Sequence, residues 1–138
     1  MAFTEAELKY LDAQPLGRLA TVQPNGTLQV SPVGFSVNPD DHTINIGGYS
    51  MAASRKYRNV AANGRVAFVV DDVPSLDPWR VRCLEIRGVA EAVPGPNAAT
   101  GDLDGAIIRI TPQRIISYGI EVPDQEPHAM TVNNRDVG

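Results

Sequence analysis

Short apolar–polar alternations, each ended by a turn signal, restrict this chain more than any other feature of its sequence. "GRLATVQ" (17–23) and "TLQVSPVGFSV" (27–37) are separated by "PNG". Asn25-Gly26 predicts a two-residue type I′ hairpin turn, in which both central residues need positive φ. "NPDD" (38–41) is the next turn: Pro39 presets φ and the aspartates accept backbone hydrogen bonds. It leads into "TINIGG" (43–48), so three antiparallel strands follow one another. "RVAFVVD" (65–71) reads as a further strand and "DVPSLDP" (72–78) as a loop. "WRVRCLEIRGVAEAV" (79–93) is long for one strand, and its alternation changes phase between Cys83 and Leu84, which predicts a bulge there. A turn-rich loop (94–105) precedes "AIIRITP" (106–112) and "RIISYGIE" (114–121), which read as the last two strands. Residues 122–138 have little periodicity and are expected to form an extended or mobile tail.

Two short helices interrupt the strands. Thr4 with Glu7 three residues on forms a capping-box pattern, Phe3 and Leu8 have the spacing of a hydrophobic staple, and Pro15 ends the helix. The second helix lies within 50–64, where Tyr57, Val60 and Ala61 share a face. Either Ser50 or Ser54 can cap it, and Asn63-Gly64 can end it. The sum is a mainly β (β-rich α+β) chain of six or seven antiparallel strands, for which a closed or half-closed barrel is the usual solution. At 138 residues it is expected to form one domain over 1–138.

Charge is distributed unevenly. The chain carries −4 overall, yet residues 50–70 hold Arg55, Lys56, Arg58 and Arg65 and no carboxylate, which leaves −8 on the remainder. If Ser54 is the cap, Arg55 and Lys56 fall in the first helical turn, where the macrodipole disfavours each cation by about 0.3–1 kcal/mol. Open backbone N–H groups beside Arg and Lys make a phosphate site. A solvated basic face, or ion pairs with Asp71 and Asp72, is the competing explanation. Other classes find less support. A pI near 5.0 without aromatics interleaved in a basic surface argues against nucleic acid. No apolar run reaches the ~18 residues of a membrane span. "MAFTEAELKY" lacks the features of a signal peptide, and a single cysteine, Cys83, permits no internal disulfide. A cytoplasmic protein is expected. Cys83 reads as a buried structural thiol, and His42, in a turn, as solvent-facing. His42 and His128 are too far apart in sequence for a metal-ligand motif, and there is no catalytic triad or carboxylate pair.

The segments "GRLATVQPNGTLQVSPVGF", "SRKYRNVAANGRVAFVVDD", "EIRGVAEAV" and "IRITPQRIISYGI", in that order, resemble the pyridoxamine 5′-phosphate oxidase-like family of flavin- and deazaflavin-binding proteins. The branch they most resemble is the actinobacterial one that uses coenzyme F420, from about Leu16 to Ile120. The resemblance implies an antiparallel split β-barrel of six to seven strands with two short helices. It implies a homodimer with cofactor sites at the interface and F420 as cofactor, with FMN as the alternative. Arg55 and Lys56 would hold the cofactor phosphate, with Ser50 or Ser54 as hydroxyl donors and Asn59 one turn beyond Arg55. The ring would lie along Gln29, Ser31, Pro32 and Val33, with Gly47 permitting close approach. Trp79 would close over the site of a second subunit, with Tyr49 and Tyr57 as further aromatics. Taken alone, Pro32 reads equally as an edge-strand residue, and Trp79 as core or interface packing. Arg58, Arg80 and Arg82 could meet the acidic tail of F420. The implied activity is hydride transfer from reduced deazaflavin to a small conjugated or heteroaromatic substrate. An FMN-binding oxidoreductase or a non-catalytic cofactor-binding protein is the alternative. The further basic residues with which full pyridoxamine-phosphate oxidases hold a substrate phosphate are not found.

Overall fold

Eight strands form a single antiparallel sheet whose two edges come from neighbouring stretches of chain. The computed structural model describes residues 2–95 and 104–138. Most of the expected 94–105 loop, residues 96–103, therefore lies outside the described residues. The elements are α1 (Glu5–Ala13), β1 (Gly17–Val22), β2 (Leu28–Val33), β3 (Ser36–Val37), β4 (Ile44–Ile46), α2 (Arg55–Ala62), β5 (Arg65–Leu76), β6 (Trp79–Val93), β7 (Ile107–Tyr118) and β8 (Val132–Asp136), with single 3-10 turns at Met51–Ala53 and Pro127–Ala129. Strand order is β2-β1-β5-β6-β7-β4-β3, and β8 pairs with β7. Laid flat, six spacings of about 4.8 Å would put β2 and β3 roughly 29 Å apart. Residues 34–35 alone join them, and that link spans at most about 11 Å. The sheet must therefore curl, and the expected split barrel results. Leu19, Ile44, Ile46, Phe68, Val70, Leu84, Ile86, Ile108, Ile110 and Ile115 fill its inside. No helix among the described residues is long and apolar enough to cross a membrane.

Several local expectations change. The β1–β2 turn is not type I′. Gly26 alone has positive φ (+86°). Gly26 N–H donates to Gln23 O, and Gln23 N–H donates to Thr27 O, each at 2.8 Å. That is a three-residue loop, a type I turn ended by a left-handed glycine, and it suits Pro24, which has no N–H to close a two-residue loop onto Thr27 and whose fixed φ fits the first position of a type I turn. Segment 27–37 breaks at residues 34–35, where Phe35 packs edge-on to Phe68 at 5.2 Å. Residues 72–76 are strand, not loop. β5 and β6 run on as a two-stranded arm past a register shift between Asp72 and Ser75. Residues 106–121 hold one strand with a bulge. Arg87 faces Arg114 and Gly88 faces Pro112, which leaves Gln113 over; its carbonyl accepts the Val137 N–H at 2.8 Å. A side chain at Gly88 would overlap the Thr111 carbonyl. No bulge separates Cys83 from Leu84, since their pairings with Asp71 and Val70 are consecutive. Both are buried: Leu84 lies in the core cluster, and Cys83, pointing to the opposite face, pairs with Tyr118.

The tail is held in place. β8 adds to β7, and Arg135 reaches back to Glu7, a fully buried carboxylate in α1. Arg135 donates to Glu7 Oε1 at 2.5 Å and to Oε2 at 3.1 Å. Ser117 Oγ donates to Oε2 at 2.6 Å, and the Thr4 N–H to Oε1 at 2.9 Å. Glu7 thus completes the expected capping box and also pins both ends of the chain to β7. Tyr10 makes a second pin by donating to Asp72 at 2.8 Å, while Arg82 grips the same carboxylate and lies over the Tyr10 ring. His42 is buried rather than solvent-facing: Nδ1 accepts the Phe3 N–H at 3.0 Å and its ring stacks on Phe3.

Burial by itself raises the Glu7 pKa, but the hydrogen bonds from Arg135, Ser117 and Thr4 outweigh it and hold the carboxyl below 4.5. A carboxyl depressed in the folded state stabilises above its unfolded pKa, and that stability is lost as pH falls through the folded value. Glu7→Gln is expected to cost up to about 3 kcal/mol at pH 7, the low end of the range for a broken buried pair, because Arg135 keeps some contact with water. Urea denaturation should show the parent losing stability below pH 4.5, with a flatter profile for Glu7→Gln.

Candidate functional site

The capping geometry before α2 separates the two serines. Ser54 is the N-cap: its Oγ accepts the Tyr57 N–H at 3.3 Å and donates to the Met51 carbonyl at 2.7 Å. Ser50 begins the preceding 3-10 turn, is exposed with a left-handed φ of 47°, and makes no side-chain cap bond. Arg55 and Lys56 therefore occupy the first turn of α2, Arg55 exposed and Lys56 half-buried. The N–H groups at N1 and N2 of a helix have no intrahelical partner, and here they belong to these two residues.

The ion pairs make this end of the helix unusual. Arg18, Arg80, Arg82, Arg87, Arg109, Arg114 and Arg135 each pair with a carboxylate. Among the described residues, Lys9 on α1 and the group Arg55, Lys56, Arg58 and Arg65 have no such partner. Of the two local explanations, ion pairs with Asp71 and Asp72 fail because those acceptors are taken. Asp71 binds Arg18 at 2.7 Å, and Asp72 binds Arg82 and Tyr10. Arg80 and Arg82, expected as contacts for an acidic tail, are likewise committed, to Asp124 and Asp72. Arg58 stays exposed on α2.

Asn59 does not share the open face of Arg55. It is buried, and its Nδ2 donates to Thr21 Oγ1 at 3.0 Å. Thr21, also buried, donates in turn to Gln29 Oε1 at 3.0 Å. These two bonds tie α2 to β2 across β1. Thr21 is not among the residues expected from sequence, although a polar residue at an inward position of β1, directly opposite Gln29, is a visible signal.

β2 has two distinct faces. Burial alternates along it, so Gln29, Ser31 and Val33 point inward while Leu28, Val30 and Pro32 point outward. Pro32 is thus on the face opposite Gln29 and Ser31. Successive β1 residues turn their backbone groups alternately to either neighbour, and the Gln23–Thr27 bond assigns residues 21 and 19 to β2. Pro32, opposite Arg18, then turns its missing N–H toward the sheet's free edge, where a proline is tolerated. Ser31 Oγ is buried with no hydrogen-bond partner, the one such side-chain atom among the described residues. Burying a hydroxyl this way is unfavourable unless a partner arrives.

The remaining residues stand elsewhere. Gly47 is exposed, and a Cβ there would come no nearer than 3.9 Å to Ile107, so the chain's own packing does not demand glycine. Trp79 lies at the end of the β5–β6 arm, half-exposed, paired with the 77 % exposed Leu76. Tyr49 is exposed ahead of α2, and Tyr57 packs against the core. A cleft of about 250 Å³ beneath the arm is lined by Ser75, Arg80, Arg82, Gly119 and Asp124, with no residue from α2 or β2.

Comparison with known proteins agrees with this architecture. Residues 3–117 match the pyridoxamine 5′-phosphate oxidase family. A 5a,11a-dehydrotetracycline/5a,11a-dehydrooxytetracycline reductase of Streptomyces rimosus is 49% identical over 122 residues, which cover 88% of this chain and 86% of the reductase. A solved F420 reductase shares 29% identity with a TM-score of 0.59, covering 75% of this chain and 91% of its own. An FAD-binding protein of Mycobacterium smegmatis has the same fold at 23% identity, TM-score 0.60, over 83% of this chain and 93% of its own. With its curled sheet, and with most of its length matched by the family and by a reductase at near 50% identity, the chain belongs to the pyridoxamine 5′-phosphate oxidase family and is an oxidoreductase.

Proposed function

We propose that this chain is an F420H2-dependent reductase of a conjugated small molecule, working as a homodimer with its cofactor sites at the interface. The observation that carries the reading is the group of cations at α2. Four of the five positive side chains that lack a carboxylate partner among the described residues lie on or just after this helix in an acidic chain, and two of them flank open helix N–H groups. Arg55 and Lys56, with those N–H groups, would hold the ribityl phosphate. Ser54 sets the helix start, and its hydroxyl is already engaged; Ser50 keeps an open hydroxyl beside it. Arg58 and Arg65, exposed and unpaired, suit the acidic tail that distinguishes F420 from FMN. The inner face of β2 fits a ring with polar edge groups, because Ser31 Oγ lacks a partner there and Gln29 stands two residues away. Gly47 leaves room for close approach.

A bound reduced deazaflavin supplies hydride, and the chain's residues supply binding and orientation. The substrate class follows the Streptomyces rimosus relative, whose name describes reduction of a dehydrogenated tetracycline. Electron-poor conjugated ring systems of that kind are the proposed acceptors. The outward face of β2 supports the dimer. Leu28 and Val30 are 72 % and 67 % exposed beside Pro32, an apolar strip that a second copy would cover. Trp79, on its arm, would then reach the partner's site.

Fluorescence titration tests the cofactor. F420 is expected to bind more tightly than FMN at about 0.02 M salt, with the gap narrowing at about 0.5 M as the exposed tail contacts are screened. FMN binding more tightly at both salts would overturn the assignment. Lys56→Ala should weaken binding of either cofactor by about 1.5–3 kcal/mol, the value of a charge-assisted bond, without unfolding the chain. Unchanged affinity would remove the phosphate role. Consumption of F420H2 with a dehydrotetracycline-type acceptor separates a reductase from a binding protein.

Sedimentation at micromolar concentration should show twice the 14.8 kDa chain mass. Val30→Glu, which places a charge on the apolar strip, should return the protein to a single 14.8 kDa species with unaltered circular dichroism.

A further inference from the structure

We infer that Asn59 and Thr21 are positioning residues that orient the Gln29 carboxamide, so that β2 presents a pair of hydrogen-bond donors to the edge of a flat heterocycle. The inference rests on the reading that β2 lies along the cofactor ring. It adds a reason for that strand's selectivity and brings in two buried residues that contact no ligand themselves.

In the structure the relay runs from α2 to β2. Asn59 Nδ2 can only donate, so Thr21 Oγ1 accepts from it at 3.0 Å. The Thr21 hydroxyl then has its one hydrogen left for Gln29, and Gln29 Oε1 receives it at 3.0 Å. With its oxygen held on the inner side, Gln29 turns its NH2 group away from Thr21. A carboxamide is nearly symmetric in shape, and without this relay either end could face outward. Thr21 and Asn59 are both buried, so water does not compete for these bonds.

Ser31 completes the pair. It is two residues further along the same face of β2, about 6.7 Å along the strand, beside the fully buried Leu19 of β1. Its Oγ is buried without a partner. Gln29 Nε2 and Ser31 Oγ therefore form a short row of donors on one face of β2. A ring edge bearing carbonyl oxygens or unprotonated ring nitrogens satisfies such a row; an apolar edge leaves both groups unpaired. The relay also starts in the helix whose first turn carries Arg55 and Lys56, so the proposed phosphate end and ring end of the site share one rigid connection.

The test uses the full chain with F420 and FMN as probes. Each variant is titrated by fluorescence, and the absorption maximum of saturating bound cofactor is recorded. That maximum responds to hydrogen bonds at the ring edge and would not move if the relay only stabilised the fold. Thr21→Val, which keeps shape and loses the hydroxyl, is expected to weaken binding about tenfold, the scale of one hydrogen bond, and to shift the bound maximum. Thr21→Ser, which keeps the hydroxyl, should restore both. Gln29→Glu still accepts from Thr21 but presents an acceptor in place of the donor. It should weaken binding at least as much with little change in melting temperature. If Thr21→Val does not fold, Gln29→Glu decides alone. A parent that binds, with Gln29→Glu or a folded Thr21→Val matching it in affinity and bound maximum, overturns the relay while the cofactor reading stands. A parent that binds neither cofactor overturns that reading and this inference with it.

Discussion

Two residues of chain, 34 and 35, join the opposite edges of a seven-strand path, and the rest of the structure follows from that constraint. A sheet that must bring its edges together curls, and curling divides every strand into an inner and an outer face. The inner faces of β1, β4, β5, β6 and β7 carry the branched and aromatic side chains that make the core. The break between β2 and β3 also leaves one strand with a free edge. There the chain accepts a proline, an unpaired hydroxyl and an apolar outer strip, none of which suits the middle of a closed sheet.

Polar groups inside the molecule either lock elements together or stay open for something else. Glu7, Arg135 and Ser117 form a saturated cluster that unites α1, β7 and β8. Tyr10, Asp72 and Arg82 do the same for α1 and the base of the β5–β6 arm. In both, each buried charge meets an opposite charge and further hydrogen bonds, the condition under which such groups are tolerated away from water. Near α2 the pattern is the reverse. The carboxylates within reach are spent on other arginines, and four cations on and just after α2 remain without a carboxylate partner. Charge that is neutralised nearly everywhere else on the surface is kept open at one helix start, where the backbone already favours an anion.

The site and the scaffold meet in a small number of bonds. Asn59 belongs to the helix with the open cations, Thr21 to the strand next to the free edge, and Gln29 to the edge strand itself. Rigid elements joined in this way hold a bound group at both ends, which is the main contribution a protein makes when a cofactor carries the reaction.

Much of this was legible in the residues. Alternation between turn signals identified the strands, because side chains in a pleated sheet repeat every two residues and one face must be buried. Thr4 and Glu7 specified the first helix start, and the charge count alone marked residues 50–70 as unusual. Local chemistry misled where a neighbour overrode it: Pro24 turned Asn25-Gly26 into a different hairpin, and Cys83 beside Leu84 suggested a bulge where both faces of the strand are covered. The tail had no periodicity to read, since β8 is half-exposed and is held by Arg135 to a carboxylate 128 residues away. Which serine caps α2 depended on backbone angles, and the fate of Asp71 and Asp72 depended on Arg18 and Arg82 reaching them first. The sequence by itself determined the elements, their faces and the place of excess charge, because these depend on spacing and composition along the chain. Only the tertiary structure decided which cations stay open, that Asn59 turns inward to Thr21, and that Ser31 has no partner, because those outcomes depend on side chains brought together from distant parts of the chain.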